Sequence, residues 1–252
     1  MAFSPALAHR QRVLAAIAAG PDAPVAALPE IDPASPAAAE YQQLLASLHN
    51  DQRALHDIQS VQEKIERKRT MIDTYLPWVN GALDAGAEGR AVQDEIVVTM
   101  MIWAFDIQNW ELALDLAQHV LTHGLALPER YKRTAATLIA EEIADAAKVD
   151  PASVELAQLQ RASSLTADYD KPDQVKAKLL RAIGLALSAQ ADAFDPAAEN
   201  AAAGGLPALV DAALLHLKEA LRFDKNVGVK KQIEQLERQA KKLADEAAAK
   251  QE

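Results

Sequence analysis

Clustered carboxylates, one histidine pair and one run of cations are the side chains whose types and spacing could do chemistry. Glu141, Glu142 and Asp145 fall together on one candidate helix, and Asp168, Asp170 and Asp173 in one candidate loop. A nuclease uses such groups to hold a divalent metal beside a scissile phosphate. Neither cluster has a recognisable nuclease arrangement, and acidic groups on helix surfaces are ordinarily solvated. His119 and His123 stand four residues apart and could share a helix face as metal ligands. No acid of suitable spacing accompanies them, and cations near a helix C-terminus are favoured by the dipole anyway. No catalytic residue, metal ligand or cofactor is therefore assigned. The cations lie in "KIERKR", where Lys64, Arg67, Lys68 and Arg69 could contact phosphates. Glu66 interrupts the run, and a solvated helical face is the alternative. Arg10 and Arg12 near the N-terminus could join the same contact.

The elements that position these groups follow from composition and breaks. Alanine makes up about a fifth of the 252 residues, aromatics are 4%, and there are nine glycines. Alanine has the best helix propensity, and the alternation that strands need is missing. The fold class is all-α: a helical bundle of antiparallel hairpins, some tetratricopeptide-like, with one long coiled-coil-like helix. Residues 1–19 suggest an N-terminal helix capped by Ser4, begun by Pro5 and stopped at Gly20, a possible DNA contact. Residues 20–40 hold five of the twelve prolines and read as a linker.

From Tyr41 to Tyr75 there is neither Gly nor Pro. A helix over this span would be about 50 Å long. Leu44, Leu48, Leu55, Ile58 and Ile65 form its seam, with Asp51 and Gln62 as polar intrusions, and suggest oligomerisation. Residues 76–225 read as a helical-hairpin domain. Pro77 starts a short helix ending near Gly86, and two helices then meet at Asp106–Asn109, the second stopping at Gly124. Further helices are expected around 134–147, 152–167, 173–190 and 208–223. "WELALDLAQHVL" has a tetratricopeptide-like pattern, faintly repeated from "KLLRAIGLAL" to "ALLHLKEALRFD". Gly184 would be the small residue at that crossing, opposite Ala213, Leu217 and Ala220. Two copies cannot make a solenoid, so hairpins within one bundle are the simpler reading. Residues 226–252 read as a charged C-terminal helix and tail with acids and bases almost evenly mixed.

Several function classes are disfavoured. The sequence has no G-x-x-x-x-G-K-[ST], G-x-S-x-G or H-E-x-x-H pattern. It has no cysteine, which removes disulfide, thiol and thiolate-metal chemistry and suits a reducing cytoplasm. No apolar run approaches the roughly 18–20 residues of a membrane span, and no signal-peptide core is visible, so a soluble intracellular protein is expected. The net charge is −10 but unevenly placed. Residues 71–130 carry nine acids and two bases, and residues 53–70 carry five bases and three acids. Any DNA contact should therefore avoid the middle of the chain.

Longer motifs carry a resemblance. "LPWVNGALDAG", "QDEIVVTMMIWAFDIQNWELALDLAQHVLTHGLALP" and "KRTAATLIAEEIADAA" resemble the small terminase subunit of temperate, contractile-tailed bacteriophages. That family is often labelled the terminase endonuclease subunit. "KPDQVKAKLLRAIGLAL" and "VGVKKQIEQLER" extend the similarity, as does "SPA" followed by "RV" at the front. The resemblance implies binding of double-stranded phage DNA and its delivery to a large subunit carrying the ATPase motor and nuclease. It also implies a homo-oligomer in ring form, no membrane partner, and the host bacterial cytoplasm as location. The long helix would then serve oligomerisation and its basic end DNA contact. Intrinsic endonuclease activity and a helical scaffold without a DNA role are the rivals. The family's label notwithstanding, the residues offer no cutting motif, which favours cleavage by the holoenzyme.

Overall fold

A computed structural model of the protein describes residues 36–195 and 205–249, together with Ile31. Every regular element among the described residues is helical. The expected N-terminal helix, with Arg10 and Arg12, and most of the expected linker lie outside the described residues. The chain forms two compact units, one within Met1–Ala135 and one within Ala136–Glu252. That boundary falls inside the 76–225 span expected as one helical-hairpin domain. No helix of the described residues is long and apolar enough to cross a membrane.

The first unit contains α1 (Pro36–Asp57), α2 (Val61–Met71), a 3-10 turn (Ile72–Thr74), α3 (Leu76–Ala87), α4 (Glu95–Asp106) and α5 (Trp110–His123). The uninterrupted helix expected from Tyr41 to Tyr75 is instead broken at residues 58–60, and this corrects the reading of one long coiled-coil-like helix. Ser60 caps the new start, its side chain accepting a hydrogen bond from the Glu63 N–H at 3.3 Å. The physical reason for the break is tertiary. Tyr75 Oη donates to Asp51 Oδ2 at 2.6 Å. On a straight helix these residues, 24 apart, would be separated by about 36 Å. The chain must fold back for the bond to form, and absence of Gly and Pro does not prevent it.

α4 is the centre of this unit, with Ile96 through Phe105 all buried. Asp94 caps its start, and Asn109 caps α5 by accepting from the Leu112 N–H. The short connection between them makes an antiparallel pair. Gly124 ends α5 in the left-handed conformation, φ 71°, which a residue with a Cβ adopts only with strain.

The second unit contains α6 (Ala135–Val149), a 3-10 turn (Pro151–Ser153), α7 (Leu156–Leu165), α8 (Asp173–Asp192), α9 (Gly205–Phe223) and α10 (Lys230–Ala249). α8 crosses α9 at Gly184, as the apolar spacing predicts. A Cβ on Gly184 would lie 2.6 Å from Leu217 Cδ2 and 3.2 Å from the Leu217 backbone nitrogen. Ala213, Leu217 and Ala220 of α9 are fully buried. Gly81, in α3, has nothing within 4 Å of such a Cβ. The two glycines should thus respond oppositely to alanine. Gly81→Ala gains helix propensity, about 1 kcal/mol. At Gly184 the same gain is outweighed by overpacking of roughly 1–3 kcal/mol against an immobile crossing. Thermal melts of the single variants check this, and Gly184→Ala melting as high as Gly81→Ala would contradict the close crossing.

Candidate nucleic-acid interface

α2 carries the basic run. Glu63 in its first turn and Lys68 and Arg69 in its last turn both complement the helix dipole. None of its residues is buried, so the helix is held by its ends and a few side chains. The four cations have different fates. Lys68 pairs with Asp106 at the end of α4, and its side chain is only 17% exposed. It fastens α2 to α4 and is withdrawn from any ligand. Arg69 pairs with Glu66 at 2.6 Å, and Gln62 donates to the same carboxylate at 3.0 Å. Lys64 and Arg67 have no carboxylate partner among the described residues. They stand three apart on one helix face, Arg67 exposed and Lys64 half-buried. These two are the cations of the run that remain for a phosphate.

The seam is divided in the same way. Leu48 and Leu55 are buried within the chain's own fold, and Asp51 is occupied by Tyr75. Leu44, Ile58 and Ile65 are half-buried. Ile58 lies within the break at residues 58–60, which separates Ile65 from Leu44, Leu48 and Leu55 on α1, so the five do not form one continuous stripe.

The carboxylates are tied down by a lysine. Lys178 of α8 donates to Glu141 Oε1 at 2.8 Å and to Asp145 Oδ2 at 3.0 Å. An ammonium therefore stands where a metal would need to bind these two side chains, and those carboxylates hold the Lys178 ammonium in its charged form against the opposing effect of burial. Lys176 pairs with Asp173 at 3.4 Å and reaches Asp170 at 4.0 Å. Among the described residues no three His, Asp or Glu side chains are grouped to hold a metal ion.

His119 and His123 do share a face of α5, with ring centroids 4.7 Å apart. His119 is buried, and its pKa is pushed down to about 4, by desolvation first and by the neighbouring His123 second. α3 closes over the pair at Gly86, where a Cβ would lie 2.4 Å from His119 Cε1 and 3.1 Å from His123 Nε2. The pair is a packing contact made possible by a glycine.

Residues inside the longer motifs prove structural in a way that spacing does not disclose. Trp78 Nε1 donates to Asp94 Oδ2 at 2.7 Å, while Asp94 Oδ1 accepts from the Ile96 and Val97 N–H groups. Burial raises the Asp94 pKa, and these three hydrogen bonds act against that rise. Tyr41 packs on Trp78 with centroids 5.4 Å apart, and its hydroxyl accepts from the Glu95 N–H. Tyr75 meets Trp103 edge-on at 6.1 Å. α1, α3 and α4 are thus joined through one aromatic and carboxylate network. An aspartate two residues before the apolar run 96–105 is an N-cap signal in the sequence; its tryptophan partner has no local signal.

A family model described as the phage small terminase subunit matches residues 45–174, from α1 into the start of α8. The chain is 38% identical over 241 residues to the "Terminase, endonuclease subunit" of Escherichia phage P2, covering 94% of this chain and 86% of that protein. It is 30% identical over 105 residues to the "Probable terminase, endonuclease subunit" of Haemophilus phage HP1, covering 41% of this chain and 36% of that protein. No solved structure matches.

Proposed function

The chain belongs to the phage small terminase subunit family, and we propose that within DNA packaging it binds double-stranded phage DNA and presents it to a large terminase subunit in the infected host's cytoplasm. The large subunit supplies the ATPase motor and the cut. Lys64 and Arg67 on α2 carry the DNA part of this reading, because they are the two cations of the basic run without an internal partner. Self-association in a ring fits the half-buried Leu44, Ile58 and Ile65, which leave apolar surface for a second copy.

Intrinsic cleavage is the second reading, favoured by the names of the relatives from phages P2 and HP1. The ties from Lys178 to Glu141 and Asp145 speak against those carboxylates as a metal site. One set of measurements tests both. Purified protein should bind phage DNA, and Lys64→Ala/Arg67→Ala should weaken that binding. The slope of log affinity against log salt should fall by about 1.8, roughly 0.9 per lost phosphate contact. An unchanged slope removes α2 from the interface. With magnesium added the DNA should stay intact; cleavage abolished by Glu141→Gln/Glu142→Gln would overturn the non-catalytic reading. Solution mass with and without DNA tests the assembly, and a monomer at every concentration would end it.

A further inference from the structure

The acidic span 71–130 ends in a cationic tip. Between α5 and α6 the chain reads "GLALPERYKRT", Gly124 to Thr134. Its first part is pinned beside the start of α4. Leu125 is buried, and the Gln93 side chain clamps the Ala126 backbone twice. Gln93 Nε2 donates to the Ala126 carbonyl at 3.0 Å, and Gln93 Oε1 accepts from the Ala126 N–H at 2.8 Å. The Tyr131 N–H then donates to the Pro128 carbonyl at 2.8 Å, closing a turn with Glu129 and Arg130 at its corner. Tyr131 is half-buried, while Glu129, Arg130, Lys132 and Arg133 are all exposed.

The fold gains little from these cations. From Arg130 to Ala140 there are three of them and no acid, and Glu129 is the one acid between Gly124 and Ala140. The next acid, Glu141, is held by Lys178. Arg130 and Lys132 have no carboxylate partner among the described residues. The Arg130 guanidinium lies instead over the Tyr131 ring, 5.1 Å from its centroid, a contact that uses the face of the cation and not its N–H donors. Lys132 and Arg133 stand just before α6, whose first turn has no acid, and the helix dipole disfavours cations there.

We infer that this tip, through Arg130 and Lys132, is a second contact for the phosphate backbone of double-stranded DNA. The inference rests on the DNA-binding reading above but uses a different surface. α2 is fastened at Asp106, where α4 ends, and the tip is pinned at Gln93, just before α4 begins. The length of α4, 12 residues or about 18 Å, therefore separates the two attachment points. That span corresponds to about five phosphates of one strand at 3.4 Å each. A guanidinium backed by an aromatic ring suits a phosphate, because its planar fork of donors is oriented in advance. Phosphate contacts at both ends of α4 would fix the direction of a duplex on the first unit, which one cation pair cannot do.

The test uses the full chain and double-stranded DNA, titrated over a range of salt. Arg130→Gln/Lys132→Gln should lower the log–log salt slope by about 1.8, roughly 0.9 per lost contact. Arg130→Lys/Lys132→Arg should keep the wild-type slope, since counterion release follows the number of charges. Adding Lys64→Ala/Arg67→Ala to the glutamine variant should bring the total loss to about 3.6, because separate surfaces contribute independently. Circular dichroism and melting matched to wild type show that the exposed substitutions leave the fold intact. A wild-type slope in the tip variant, beside a lowered slope in the α2 variant, overturns the tip contact and leaves the DNA reading standing. A tip variant that keeps the slope but loses the large subunit assigns the loop to a protein partner, and the inference is then wrong. Failure of the wild-type chain to retain DNA at low salt overturns both readings.

Discussion

Replacing Asp94 with alanine should destabilise the first unit by about 1.5–5 kcal/mol, the sum of a lost helix cap and an unpaired buried donor. The side chain does two jobs with two oxygens. Oδ1 caps α4, and loss of such a cap costs about 0.5–2 kcal/mol. Oδ2 accepts from Trp78, whose N–H would be left without a partner, at about 1–3 kcal/mol. Asp94→Asn separates the two contributions. Its amide oxygen can cap, but its NH2 group then faces the indole N–H, donor against donor. The expected order of stability is wild type, then Asn, then Ala. Trp78→Phe should reduce the gap between Asp and Asn, because the bond at issue is already gone. All three tryptophans, at 78, 103 and 110, lie in the first unit, so fluorescence reports its unfolding. Asp94→Ala melting within a degree or two of wild type would refute the account.

The second large effect is on pH. Burial holds His119 neutral, with its pKa at about 4, whereas the same imidazole in an unfolded chain titrates near 6.5. Between those values the unfolded chain binds more protons, so stability rises with pH across the window. The contribution of His119 is complete above about pH 6.5 and is lost as pH falls through about 4. Its full size is on the order of 3 kcal/mol. Asp94 works the other way at the acid end, because its raised pKa lets the folded state take up a proton first. His119→Gln isolates the histidine by removing the titrating ring. Urea unfolding followed by tryptophan fluorescence at pH 7, 6, 5 and 4.5 should show a slope in wild type that flattens in the variant. Equal slopes in the two proteins would mean that His119 is hydrated and able to charge in place.

These residues mark how far the sequence is legible. Ends of helices are local events, and most of them are written locally. Pro77 at the start of α3, Asn109 between α4 and α5, and Gly124 after α5 each act through their own backbone geometry or nearest turn. The crossing at Gly184 was also accessible, because a glycine in an apolar stripe opposite alanines has a packing reason. The break at residues 58–60 has a local signal in Ser60 three residues before Glu63, but the fold-back it allows shows only in Tyr75 reaching a residue 24 positions back.

An all-helical chain, most helix ends and the family can be read from the amino-acid order, since propensity, capping and motif spacing are short-range properties. What each charge does follows instead from how the helices pack. In "KIERKR" four cations look equivalent, yet Lys68 is consumed by an aspartate 38 residues away while Lys64 and Arg67 stay available. Glu141 and Asp145 look like metal ligands until Lys178 is placed between them. A charge's role depends on the nearest opposite charge and on its access to water, and both are set by which helices pack together.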